Sequence, residues 1–97
     1  MTVSVLLEGV LKEGHIDSFI ETCREKLVET RASERCIRID MTLSTKDRHN
    51  FVMTEVWETA WHYDAYRKMR QDDGTSAYII SCCEKGPSIR MYDILDV

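Results

Sequence analysis

A carboxylate set inside an otherwise apolar strand constrains this chain more than any other feature. Phe51 to Glu58 reads FVMTEVWE, rich in the β-branched and aromatic residues that a pleated strand selects. Side chains alternate across a strand, so Phe51, Met53, Glu55 and Trp57 share one face while Val52, Thr54 and Val56 share the other. Both faces are largely apolar, which predicts a central strand covered on each side. Glu55 must then be paired, solvated by a cavity or shifted in pKa, because an isolated buried charge costs too much. Arg38 and Arg90, on neighbouring strands, are the candidates for an ion pair that would make Glu55 merely structural.

The rest of the chain arranges itself around that strand. Val3 to Leu11 (VSVLLEGVL) reads as a first strand, with Gly9 marking a bulge or a close approach by another group. From His15 the period changes to helical. Ile16, Phe19, Ile20, Cys23, Leu27 and Val28 form one face, and the helix is expected to end near Arg31 or Ala32. Cys36 to Leu43 (CIRIDMTL) alternates strictly, placing Ile37, Ile39, Met41 and Leu43 opposite Cys36, Arg38, Asp40 and Thr42. The short polar loop STKDRHN then makes this strand and the Phe51 strand antiparallel neighbours. Thr59 is placed to cap a second helix whose inward stripe is His62, Ala65, Tyr66 and Met69, flanked by Trp61 and Tyr63. A short third helix, capped by Thr75 or Ser76, runs through Cys83 and is stopped by Gly86 and Pro87. Ser88 to Val97 closes the chain as a last strand. The order β-α-β-β-α-(α)-β predicts an α+β ferredoxin-like plait, a split β-α-β with an antiparallel sheet, as one domain over residues 1–97.

Ninety-seven residues sit near the small end of what supports its own core. Helices cover one face of such a sheet, so a second copy of the chain is the expected cover for the other. With 17 acidic against 13 basic residues and no basic block, nothing recommends a nucleic-acid partner or an anionic membrane. There is no membrane-length apolar run and no signal-peptide pattern at the start, so a cytoplasmic location is expected. Cys23, Cys36, Cys82 and Cys83 form no CxxC pair and no zinc-spaced cluster, and Gly-rich phosphate loops and nucleophile elbows are lacking. The expectation is four free thiols, no metal ligands and no cofactor.

The run from Thr30 to Tyr66 resembles the antibiotic biosynthesis monooxygenase (ABM) domain family. TRASERCIRID is similar to that family's helix end and following strand, FVMTEVWE to its third strand, and DAY to the helix after it. The resemblance implies a dimeric α+β barrel, two plaits packed sheet to sheet, with a small-molecule pocket between sheet and helices in each subunit. Family members include cofactor-free monooxygenases of quinols and polyketide phenols, haem-degrading enzymes, and an isomerase of a phosphorylated signalling sugar. Trp57 falls at the family's strand-end tryptophan and Glu55 at its strand glutamate. The chain also departs from the pattern. Tyr66 stands where many quinol-oxidising members carry a histidine, Met69 to Gly74 replaces a Thr-Pro-His-Phe-like segment, and the first strand lacks the asparagine that haem degradation needs.

The candidate site is formed by residues at the end of the Phe51 strand and the start of the second helix. Histidine is the side chain whose reference pKa lies near neutral, so His62 is a candidate proton acceptor. Glu55 becomes another if burial raises its pKa. Met53, Trp57, Tyr63 and Tyr66 are expected to line the pocket, Trp57 by stacking on an aromatic ring and the tyrosines through their hydroxyls. Each has an ordinary structural alternative: core packing for Trp57, a hydrogen-bonded core histidine for His62, amphipathic packing for the tyrosines. Two functions fit. One is a cofactor-free monooxygenase acting on a quinol or phenol in a dry pocket. The other is an isomerase or binding protein for a small polar metabolite on the same barrel, or a member without chemistry.

Overall fold

In the computed structural model, which describes residues 1–97, seven elements succeed one another. They are β1 (Val3–Leu11), α1 (Ile16–Arg31), β2 (Cys36–Leu43), β3 (Asn50–Trp57), α2 (Ala60–Asp72), α3 (Thr75–Cys82) and β4 (Cys83–Asp93). All strand pairs are antiparallel, in the order β2-β3-β1-β4, which is the ferredoxin-like α+β arrangement. The register sets Val5 and Ile39 on either side of Glu55, and Val3 beside Trp57. The three helices lie over one face.

Alternation decides what they cover. Phe51, Met53, Glu55 and Trp57 are all buried beneath the helices, whereas Val52, Thr54 and Val56 are half-buried on the outer face. That outer face mixes Leu6, Val52 and Val56 with two ion pairs, Arg38 to Asp40 at 2.6 Å and Arg90 to Glu8 at 3.1 Å. Within one chain, β3 is therefore covered on a single face.

α1 presses Phe19, Cys23, Leu27 and Thr30 onto the sheet. Phe19 meets Phe51 with ring centroids 4.9 Å apart, the centre of a cluster that includes Leu11, Ile39, Met53, Cys82 and Cys83. A second cluster joins Val3, Val5, Trp57 and Tyr63. Burying a ring such as Phe51 stabilises the fold by about 2–3 kcal/mol. Val28, expected inside, is exposed, and Thr30 takes its place on the inward face. Ile37 is exposed as well, because the pairing of β2 with β3 skips a residue between Cys36 and Arg38 and so turns it outward.

The last third of the chain departs furthest from its sequence pattern. α3 is preceded by Gly74 as its cap, with no side-chain cap from Thr75 or Ser76. It stops at Cys82, and Gly86 and Pro87 lie inside β4 rather than at a helix end. The sheet captures the chain early. Lys12 N–H donates to the Cys82 carbonyl at 2.9 Å, and Cys83 pairs with Leu11. The pairing then shifts between Glu8 and Val10, opposite Gly86, whose φ of +78° suits a residue without Cβ. The strand ends at Asp93 because β1 has run out, with Ile94 N–H donating to the Thr2 carbonyl at 3.0 Å.

Gly9 does mark a close approach. A Cβ there would lie 2.9 Å from Phe51 Cε1 and 3.0 Å from Cys83 Sγ. Both neighbours are buried and cannot swing away. Gly9→Ala is expected to cost about 1–3 kcal/mol, read as a fall in thermal midpoint of at least about 4 °C. An unchanged midpoint would mean that the crossing of β1 over Phe51 is loose.

Candidate functional site

A cavity of about 250 Å³ lies between the sheet and the helices. Every strand contributes to its floor: Leu7 from β1, Ile39 from β2, Met53 and Glu55 from β3, Ile89 from β4. Lys26, Leu27 and Thr30 of α1 form one wall, and Tyr63, Tyr66, Arg67 and Arg70 of α2 form another. Tyr78, Ile79 and Ile80 of α3 close the end, where the Tyr78 hydroxyl donates to Thr22 Oγ1 on α1 at 3.1 Å.

Glu55 is the anomaly in this otherwise apolar floor. It is only 4 % exposed, and its single protein partner is Trp57, whose Nε1–H donates to Oε1 at 2.9 Å. Arg38 and Arg90 do not pair with it, because their register places them on the outer face. Burial pushes the Glu55 carboxyl up to about 7, against the opposing pull of the indole N–H. Near neutral pH it exchanges a proton while remaining in an apolar setting.

The tyrosines do the opposite. Burial, and next the nearby Glu55 carboxylate, raise Tyr63 above its ordinary pKa. Burial raises Tyr66 likewise, against the bonds from Arg70 and Thr30. Both hydroxyls stay protonated; that of Tyr66 is engaged by Arg70 and Thr30, and that of Tyr63 has no protein hydrogen-bond partner. Their rings flank Trp57, with centroids 5.9 Å and 4.9 Å from its own.

The second helix turns a different stripe inward from the one its apolar residues suggested. Tyr63, Tyr66 and Arg70 face the sheet, whereas Ala65 and Met69 are exposed. His62 lies beside the cavity's wall rather than in it. Its amide donates to the Thr59 hydroxyl at 3.1 Å, completing the helix cap, and its Nδ1 shares a 2.6 Å hydrogen bond with the same hydroxyl. Nε2 is 3.7 Å from Glu34, outside the pocket. Of the residues expected at the site, Glu55, Met53, Tyr63 and Tyr66 line the cavity together. Trp57 is fully buried behind Glu55 and reaches the cavity through that carboxylate.

Two lining residues had no sequence signal of their own. Arg70, 4 % exposed, spends five N–H groups on five acceptors: Tyr66 Oη at 3.0 Å, Glu29 Oε1 at 3.0 Å, Asp73 Oδ2 at 3.1 Å, the Lys26 carbonyl at 2.9 Å and Thr30 Oγ1 at 3.2 Å. Burial works against its charge, and the surrounding oxygens outweigh that. Thr30 is fully buried, 2.6 Å from the Tyr66 hydroxyl. The spacing Tyr63, Tyr66, Arg70 is itself helical, so a stripe counted without regard to polarity would have found Arg70.

No three His, Cys, Asp or Glu side chains converge as a metal site, and the four cysteines are free. Burial pushes the Cys23 thiol up to about 12, which makes it a packing group. No helix is long and apolar enough to cross a membrane.

The family model described as antibiotic biosynthesis monooxygenase matches residues 2–73. No curated protein matches the chain. Among solved structures, the chain is similar to one described as an antibiotic biosynthesis monooxygenase, at 20 % identity and a TM-score of 0.85 over 96 % of this chain and 98 % of that one. Rv0793 from Mycobacterium tuberculosis aligns at 15 % identity and a TM-score of 0.87 over 100 % of this chain and 98 % of that one. A conserved protein from Methanosarcina mazei Go1 gives 18 % and 0.87 over 95 % and 91 %. At such identities the likeness is one of fold.

Proposed function

Since the chain belongs to the antibiotic biosynthesis monooxygenase family, we propose that its cavity oxidises a small phenol or quinol with molecular oxygen, Glu55 serving as the proton acceptor. The observation that supports this reading is Glu55 itself: a carboxyl on the floor of an apolar cavity, with one oxygen held by Trp57 and a pKa of about 7. An enzyme base is most effective when poised near the working pH.

The step that residues of this chain perform is deprotonation. A ring packed against Met53, Tyr63 and Tyr66 would hand its hydroxyl proton to Glu55, and the apolar floor would leave the electron-rich anion with few water neighbours. That anion passes one electron to O₂. The substrate radical and superoxide then combine at a ring carbon, and the hydroperoxide loses water to leave a carbonyl. In sum, phenol and O₂ give quinone and water, so no external reductant is consumed. His62, facing Glu34 and Thr59, takes no part in this scheme.

The base sets the sign of the pH dependence. Glu55 accepts a proton only when ionised, so kcat/KM on an oxidisable naphthol should rise with pH through an apparent pKa of about 7 and level off above it. A profile flat from pH 5 to 9 would remove Glu55 from the proton transfer.

The same reading includes a homodimer. The half-buried Leu6, Val52 and Val56 give the outer face an apolar centre, and Arg38, Asp40, Glu8 and Arg90 give it matched charges around that centre. A second copy would cover it sheet to sheet. Light scattering at low micromolar protein should give twice the 11.3 kDa of one chain. A folded monomer at that concentration overturns the pairing.

A further inference from the structure

The charges around the cavity do not balance. Its lining holds three cations, Lys26, Arg67 and Arg70, and one carboxyl, Glu55. Arg70 is already answered by Glu29 and Asp73. The other two are not. Lys26 is half-buried on α1, and neither its ammonium nor the exposed Arg67 guanidinium on α2 makes a hydrogen bond or ion pair with any protein group. Other cations of the chain are also unpaired, but they lie elsewhere on the surface; Lys26 and Arg67 are the two that face this cavity, from α1 and from α2.

We propose that the substrate is an aromatic acid: a phenol bearing a carboxylate remote from its hydroxyl, with Lys26 and Arg67 receiving the carboxylate at the mouth while the hydroxyl reaches Glu55 on the floor. This rests on the reading of the cavity as the site of an oxidisable phenol. Two arguments carry it. The first is that neither cation has a protein acid beside it, so a bound carboxylate can make charge-assisted hydrogen bonds to both without displacing a partner. The second is direction. A cleft lined by one sign of charge draws in the opposite sign, and with the cations on α1 and α2 and the base on β3, an anionic tail is held at the helices while the hydroxyl is presented to the sheet. A substrate with its charge beside the hydroxyl would instead bring a second negative charge against Glu55, where it raises the cost of deprotonation.

The test uses a matched pair of probes, 6-hydroxy-2-naphthoate and 2-naphthol, titrated calorimetrically into the whole protein at pH 7 and low salt. The naphthoate should bind at least about tenfold more tightly. Lys26→Met with Arg67→Gln should remove that preference while leaving 2-naphthol binding unchanged, which also shows that the double variant is folded. Raising the salt concentration should weaken the naphthoate alone. Equal or tighter binding of 2-naphthol by the unmodified protein overturns the aromatic-acid inference and leaves the phenol reading standing. A preference that survives in the double variant overturns the role given to Lys26 and Arg67. Binding of neither probe overturns the phenol reading, and this inference with it.

Discussion

Glu55→Gln should lower turnover of an oxidisable phenol by about 10²-fold or more and, in the same protein, raise its thermal stability at alkaline pH. The two effects share one cause. In the folded chain the carboxyl holds its proton up to about pH 7, against an ordinary value of 4.5, because ionising it inside the cavity is costly. A folded pKa above the unfolded one means that stability is fully present below about pH 4.5 and is lost as pH rises through about 7. Above that, the buried charge costs on the order of 3 kcal/mol. Glutamine keeps the oxygen that accepts from Trp57 and removes the charge. Its thermal midpoint should therefore match the parent's near pH 4 and exceed it by about 12 °C or more near pH 8. Equal midpoints at both pH values, together with retained turnover, would show that Glu55 is neither strained nor catalytic.

The second large effect concerns Arg70. Arg70→Lys and Arg70→Met should each lower stability by about 2–4 kcal/mol, read as a fall in the urea midpoint. The two ion pairs account for little of this, since Glu29 and Asp73 are 55 % and 34 % exposed and remain solvated without a partner. The cost comes from the inner contacts. Without the guanidinium, the Lys26 carbonyl, Thr30 Oγ1 and the Tyr66 hydroxyl lose their shared donor. Lysine supplies three donors from one point and cannot span five acceptors arranged around a planar fork. Near-parental stability in Arg70→Lys would reduce the residue to an ordinary surface charge.

Much of this was legible in the sequence, and the exceptions share a physical reason. β1 keeps to its apolar period because its burial is apolar, and α1 and β2 depart from theirs only where polar Thr30 replaces Val28 inside and a bulge turns Ile37 outward. Glu55 stood out as a carboxylate in phase with Phe51, Met53 and Trp57, and that phase is what puts it on the cavity floor. Arg70 did not stand out. Its burial depends on oxygens contributed by α1, some forty residues away in sequence, and an apolar count of α2 therefore favours Ala65 and Met69, which face solvent. The apolar pattern carries the third helix one residue too far because Cys83 is as apolar as its neighbours. A partner strand ends that helix, and hydrophobicity carries no record of partners.

The placement of the proposed proton acceptor has a consequence for how such a molecule diverges. Glu55 is anchored on a strand hydrogen-bonded on both sides, whereas Tyr78, Ile79 and Ile80 sit on an eight-residue helix tied to the sheet by backbone bonds at its C-terminal end, where Cys83 N–H donates to the Ile80 carbonyl and Lys12 N–H to that of Cys82. The carboxylate and the residues that close the cavity's end thus reside on different scaffolding. Substitutions along α3 can reshape the cavity without displacing the carboxylate, so on the proposed chemistry single steps there should change specificity while leaving the base in place. A library confined to those three positions is the natural place to look for them.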